Sequence, residues 1–120
     1  MQFKKCPVCL VPKLPTEFNS KRKECKPCER GTKLQYRYNL TIAEYDKLFE
    51  QQNGRCKICD RTPVDVGPLV VDHDHSCCDG DRTCGFCVRG LLCNFCNTSI
   101  GSMQDSVDRM IKAIEYLQTH

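Results

Sequence analysis

Val70-Val71-Asp72-His73-Asp74-His75 lies between two CxxC pairs, Cys56–Cys59 and Cys93–Cys96, and Asn97 follows the second pair directly. Leu69-Val70-Val71 reads as a short strand that runs into a dense set of carboxylates and imidazoles. Four thiolates from two CxxC pairs saturate one tetrahedral zinc, which leaves no open position and makes that ion structural. The acids, imidazoles and amide are then free to hold a second, oxygen-seeking metal and a water. A site of that kind suits phosphodiester hydrolysis.

Working outward, Val88-Arg89-Gly90-Leu91-Leu92 can pair back as a second strand, and a helix is expected from about Leu92 to about Gly101. On that helix Cys93, Cys96 and Asn97 stand at i, i+3 and i+4 and share one side. Zinc held by Cys56, Cys59, Cys93 and Cys96 would pin the helix start and bring Asn97 beside Asp72-His73. Asp72 and Asn97 offer hard oxygen atoms that suit Mg²⁺ or Mn²⁺. Histidine titrates nearest to neutrality, so His73 suits taking a proton from an attacking water. His75 is a candidate to orient the phosphate, protonate a leaving group or add a ligand. Neighbours in a regular strand face opposite sides, so the strand must bend or end at Asp72-His73. Arg89 is expected to contact a phosphate or to pair with Asp79 or Asp81.

The rest of the chain explains what holds so small a body together. Of 120 residues, 40% are hydrophobic, but that share includes 12 cysteines and there is no Trp. Without the cysteines about 30% is apolar, a marginal core at this length. The chain opens without the apolar run of a signal peptide and has no membrane-length apolar stretch. Paired cysteines in such a cytosolic setting read as zinc ligands rather than disulfides. Cys6, Cys9, Cys25 and Cys28 form one expected zinc knuckle. Cys77, Cys78, Cys84 and Cys87 form a third set, though adjacent cysteines strain a tetrahedral site. Two or three structural zinc ions are therefore expected, each contributing roughly 10–16 kcal/mol of apparent folding free energy.

Thr41-Ile42-Ala43-Glu44 is a capping box that opens a helix, and Asn53-Gly54 closes it. Residues 30–40 form a polar, basic connector for which a helix is one form, and Pro63 to Gly67 is turn-like. A final helix from about Asp105 carries Val107, Met110, Ile111, Ile114 and Leu117 on one stripe, for a core or a partner. No internal repeat is visible. Residues 1–40 hold ten Lys/Arg against three Glu, while residues 41–120 hold eight against twelve acids. The basic third is where a polyanion would be steered, and Lys33 and Arg37 are the candidate DNA contacts. Domain organisation is expected as a basic zinc knuckle and connector over 1–40 and a catalytic core with a C-terminal helix over 41–120.

Asn53 to Cys59, Val71 to His75 and Val88 to Asn97 together resemble the phage recombination endonuclease VII family, within the HNH or ββα-metal nucleases. The resemblance covers roughly residues 41–101. It implies an α+β fold with a small zinc-stabilised ββα-metal (His-Me finger) HNH core, Asp72 and Asn97 as metal ligands and His73 as general base. It implies DNA as substrate, with 5′-phosphate and 3′-hydroxyl ends. Members place an acidic residue three positions after the metal-binding Asn, where this chain has Ile100. The N-terminal knuckle and the Cys77–Cys87 insert resemble small HNH proteins of phages. Those are often linked to DNA packaging, which would put other phage proteins among the partners and the host cytoplasm as the setting.

Other classes read from the same residues are a non-catalytic zinc module that binds DNA or protein, and a redox protein with low-pKa CxxC thiolates. His73 and His75 can also be read as zinc ligands with Cys77 and Cys78.

Overall fold

The computed structural model describes residues 2–80 and 82–119. The chain divides into two compact units, Met1–Lys47 with Asp74–Val88, and Leu48–His73 with Arg89–His120. Five α-helices and two two-stranded sheets make up the described architecture. Among the described residues no helix is long and apolar enough to cross a membrane.

In the first unit β1 (Lys4–Lys5) pairs antiparallel with β2 (Pro12–Lys13), Lys4 opposite Lys13. The turn between them is a knuckle. Cys6 O accepts from Leu10 N at 2.9 Å, Cys6 N donates to Val11 O at 3.2 Å, and Leu10 takes φ 64°. A 3-10 turn at Pro15–Glu17 leads to Phe18, which bridges to Cys25. Helix α1 (Lys26–Tyr38) starts at Cys25 as N-cap, with Pro27 in its first turn, where the absent N–H costs nothing. The small core here is Cys6, Phe18 and Cys25, with Cys28 against it. The basic connector over 30–40, for which a helix is one expected form, is mostly helix, and that helix begins inside the knuckle. It buries Glu29, whose carboxylate is held by Asn19 at 2.6 Å, Lys33 at 3.2 Å and Arg22 at 3.7 Å.

The Cys-rich loop closes the other end of α1. Arg82 Nε donates to Tyr36 O at 3.3 Å, and Thr83 N to Arg37 O at 2.8 Å. These donors satisfy carbonyls that a helix C-terminus leaves open. Asn39, left-handed at φ 54°, donates from its side chain to Cys84 O at 3.0 Å. Gly85 sits at φ 89°, and a Cβ there would stand 2.9 Å from Asn39 O, so only glycine fits. Helix α2 (Ile42–Gln51) opens with the expected capping box: Glu44 N donates to Thr41 Oγ1 at 3.1 Å, and Thr41 N to Glu44 Oε1 at 3.0 Å.

In the second unit α2 ends at Asn53 and Gly54, φ 55° and 68°. A second knuckle follows with the same bonds: Cys56 O accepts from Asp60 N at 3.0 Å, and Cys56 N donates to Arg61 O at 2.9 Å. Cys93 is the N-cap of α4 (Asn94–Ser102), as Cys25 is of α1. The two units thus repeat one design, a repeat that the residue pattern does not display because only the cysteines are shared. Pro63–Val66 is a short helix, α3, where a turn was expected.

β3 (Val70–His73) and β4 (Val88–Leu92) form the second sheet, and α4 packs on β3. Just beyond the paired strands Asp74 N donates to Cys87 O at 2.9 Å. The Gln52 amide serves β4 as a substitute strand: it donates to Leu91 O at 2.9 Å and accepts from Leu91 N at 2.8 Å. The largest fully buried side chains are Leu91 and four cysteines, Cys6, Cys25, Cys56 and Cys93. Cysteine is therefore core as well as candidate ligand. Helix α5 (Val107–Gln118) buries none of its residues. In its stripe Val107, Ile111, Ile114 and Leu117 are 46–72% exposed and Met110 is half-buried, so of the two roles expected for it, core or partner contact, the core is not the one it fills.

Candidate active site

Three sets of four cysteines come together, each with its sulfurs within 4.8 Å of one another: Cys6, Cys9, Cys25 and Cys28; Cys56, Cys59, Cys93 and Cys96; Cys77, Cys78, Cys84 and Cys87. Sulfurs on a tetrahedral zinc at about 2.3 Å stand about 3.8 Å apart. The sulfur separations match: 3.9 Å for Cys9–Cys25, 3.8 Å for Cys59–Cys93 and 3.9 Å for both Cys77–Cys84 and Cys84–Cys87. Adjacent Cys77 and Cys78 both contribute, because their N–H groups fold back onto Asp74 O at 3.1 and 3.2 Å. The third set is complete in sulfur, so His73 and His75 are not needed to fill it.

The thiols carry opposite shifts. Burial pushes Cys6 up, but N–H groups of Cys25, Cys9 and Val8 outweigh it and hold it near 6. The Arg61 guanidinium, 3.2 Å from its sulfur, pulls Cys59 down to about 6. The Phe86 N–H leads in lowering Cys84 to about 7. Conversely Cys28 is pushed up to about 12 by its bond with the Cys25 sulfur, Cys96 to about 12 by burial and Cys93, and Cys77 to about 12 by Cys84. Each set gives up one proton readily and holds another hard, which a divalent cation among four sulfurs resolves. The donor chemistry of all three sets fits zinc.

Asp72 and His73 end β3, 6% and 5% exposed, and the chain turns at Asp74, which takes Ser76 N at 2.9 Å. The end of the strand is where the sequence requires it. Asn97 lies half-buried in the first turn of α4, and its side-chain amide makes no hydrogen bond to any described residue. Asp72 faces a cleft of about 250 Å³ lined by Lys57, Ile58, Arg89, Gly90, Leu92 and Ile100. Its two oxygens are held by one guanidinium: Arg89 Nε to Oδ2 at 2.8 Å and Arg89 Nη2 to Oδ1 at 3.0 Å. The same Nη2 reaches Asp105 Oδ2 at 3.1 Å. Of the acidic partners expected for Arg89, Asp79 is not bonded to it and Asp81 lies outside the described residues; Asp72 and Asp105 are the partners seen. Asp72, and Asn97 on the helix packed against its strand, carry hard oxygen atoms of the kind that Mg²⁺ or Mn²⁺ takes.

Lys33 and Arg37 lie exposed along α1 with Lys26 and Arg30, all within one helical stripe. Lys33 is tied to buried Glu29, and Arg30 rests over the Tyr45 ring at 4.7 Å. Sequence reasoning missed Gln52, Arg61 and Asp105. Only Arg61 carried a signal, as a cation two residues past a ligand.

The sequence profile of the recombination endonuclease VII family matches residues 31–119. The chain is 34% identical over 129 residues to the Gene 59 protein of Mycobacterium phage D29, covering 96% of this chain and 73% of that protein. It is 40% identical over 87 residues to the Gene 59 protein of Mycobacterium phage L5, covering 72% of this chain and 48% of that protein. Among solved structures it is similar to the beta-beta-alpha-Me type II restriction endonuclease Hpy99I, with 26% identity and a TM-score of 0.44, over 98% of this chain and 66% of that one. The chain thus spans about half the length of the L5 relative and about two thirds of the restriction enzyme.

Proposed function

This chain belongs to the recombination endonuclease VII family, and from that premise we propose that it is a metal-dependent DNA endonuclease of the HNH, ββα-metal type. The observation that carries the reading is Asp72-His73 at the end of β3 with Asn97 on the helix packed against that strand, within the matched residues 31–119. Asp72 and Asn97 would hold one Mg²⁺ or Mn²⁺. When bound, that ion polarises the scissile phosphate and stabilises the leaving oxygen. His73 takes the proton of the attacking water, and no covalent enzyme intermediate is needed. His75 orients the phosphate or protonates the leaving group. The products would carry 5′-phosphate and 3′-hydroxyl ends.

The cysteine sets hold structural zinc in this reading. Residues 1–40 act as a basic zinc knuckle and connector that adds sequence-tolerant DNA affinity, and residues 41–120 as the nuclease core. Lys33, Arg37 and Arg89 are the proposed phosphate contacts.

The test is cleavage of supercoiled plasmid with Mg²⁺, Mn²⁺ or EDTA, comparing wild type with His73→Ala at matched zinc content. The expected result is metal-dependent relaxation that the variant loses by at least about a hundredfold. The full occupation of Asp72 by Arg89 favours one rival, a non-catalytic zinc module that binds DNA or protein. Folded, zinc-loaded wild type that binds DNA and cuts none with any divalent ion would support that rival.

A further inference from the structure

We propose that Arg89 is the resident counter-cation of Asp72 and a positioning residue for it, competing with the divalent ion, and that Asp105 is the acceptor to which Arg89 retires when the ion binds. The inference rests on the reading of Asp72 as a metal ligand.

The argument starts from desolvation. Asp72 is almost fully buried, and a buried carboxylate is costly unless paired and hydrogen-bonded. A guanidinium forked onto both oxygens is the strongest pairing that side chains offer, and Arg89 makes it at 2.8 and 3.0 Å. The fork fixes the plane of the carboxylate. It also takes a lone pair on each oxygen that a metal would use, and a divalent ion there would stand close to a like charge, so the two compete for the carboxylate.

Arg89 is built to leave. Its side chain is 39% exposed, against 8% for that of Asp72. Its Nη2 is already shared with Asp105 Oδ2 at 3.1 Å, so a second carboxylate waits within reach of the same nitrogen. Asp105 is itself placed for this. It follows α4 at a left-handed φ of 55°, and its N–H donates to Ile100 O at 2.9 Å, fixing its backbone to the helix that carries Asn97. The other cation of the cleft is engaged on the backbone of β4, where Lys57 Nζ donates to Arg89 O at 3.1 Å. A divalent ion at Asp72 would repel the guanidinium, and Asp105 lowers the cost of releasing it. The chain thus keeps Asp72 paired and correctly oriented before the ion arrives. In a chain with Ile100 at the cleft wall, Asp105 supplies a carboxylate nearby that acts on Arg89 rather than on metal.

The test is Mn²⁺ binding to the full, zinc-loaded chain, read by the electron paramagnetic resonance signal of free Mn²⁺. Arg89→Ala is expected to tighten Mn²⁺ about tenfold, since the ion no longer displaces a forked pair. Arg89→Lys, which keeps the charge but not the fork, should fall between. Asp105→Asn should weaken Mn²⁺ several-fold in wild type but change little in the Arg89→Ala background, because its effect runs through Arg89. A merely structural role would loosen binding in every variant. Arg89→Gln with circular dichroism and zinc content guards against misfolding. Mn²⁺ affinity that needs Asp72 and Asn97 but is no tighter without Arg89, or an Asp105→Asn effect that is the same in both backgrounds, would overturn the proposal and leave the nuclease reading intact. If neither wild type nor Arg89→Ala binds Mn²⁺ through Asp72, both fall.

Discussion

Leu10 and Asp60 stand at the same point of two separate knuckles. Each donates its N–H to the carbonyl of the cysteine four residues before it, and each holds a left-handed backbone, φ 64° and 62°. Both side chains are exposed, Leu10 at 61%. An L-residue there carries roughly 1–2 kcal/mol of local strain, and glycine gives back part of that gain in chain entropy. Leu10→Gly and Asp60→Gly should each stabilise the zinc-loaded protein by up to about 1 kcal/mol, read as a higher melting temperature. Valine at either position should lower it.

Gln52 replaces a missing strand at the outer edge of β4. Leu91 is fully buried, and its N–H and C=O both meet the Gln52 amide. Gln52→Ala strands a buried donor and should cost about 1–3 kcal/mol. Gln52→Glu keeps the acceptor for Leu91 N but loses the donor to Leu91 O, and should cost a comparable amount. Chemical denaturation at fixed zinc measures both.

Arg61 lowers Cys59 to about 6, so the sign of its pH effect follows. A depressed acid contributes stability that is present in full above its ordinary value near 9 and is lost as pH falls through about 6. Arg61→Ala should raise the Cys59 thiol and move the midpoint of acid-induced zinc release to higher pH, toward neutrality. Zinc release followed with a colorimetric chelator across pH 4–8 gives the midpoints. Equal midpoints would remove Arg61 from the account.

The third cysteine set should make zinc content three per chain by elemental analysis. Cys84→Ser should reduce it to two. The same loop caps α1 through Thr83 N on Arg37 O and the Asn39 side chain on Cys84 O. The variant should therefore also speed amide exchange at Thr83 while leaving the other two sets loaded. A wild type that holds two zincs would reject this site.

Arg37 offers the cleaner test of DNA contact, because Lys33 also neutralises buried Glu29. In the cleavage-dead His73→Ala background, Arg37→Ala should reduce the slope of log affinity against log salt by about 0.9. Lys33→Ala should reduce it similarly and also destabilise the fold near neutral pH, a difference that disappears toward acid. Glu29 is held below its ordinary range by Asn19 first and Lys33 next, so its stabilisation is lost as pH falls through the lowered value.

What the sequence determined by itself is local. The CxxC pairs, the capping box at Thr41–Glu44, the strand running to His73 and the helix carrying Asn97 all follow from spacings of a few residues, where backbone geometry dictates which side chains meet. The sets spanning longer separations were legible too, since thiolates in CxxC pairs have few alternative partners. Tertiary structure decided the rest. Arg89 took Asp72 and Asp105, 17 and 16 residues away in the chain. Gln52 reached Leu91, 39 residues on. Glu29 was buried and the α5 stripe left exposed. Polar side chains have many acceptable partners, so their choice depends on which backbone elements the fold brings within 3 Å. No pattern of neighbours along the chain encodes that choice.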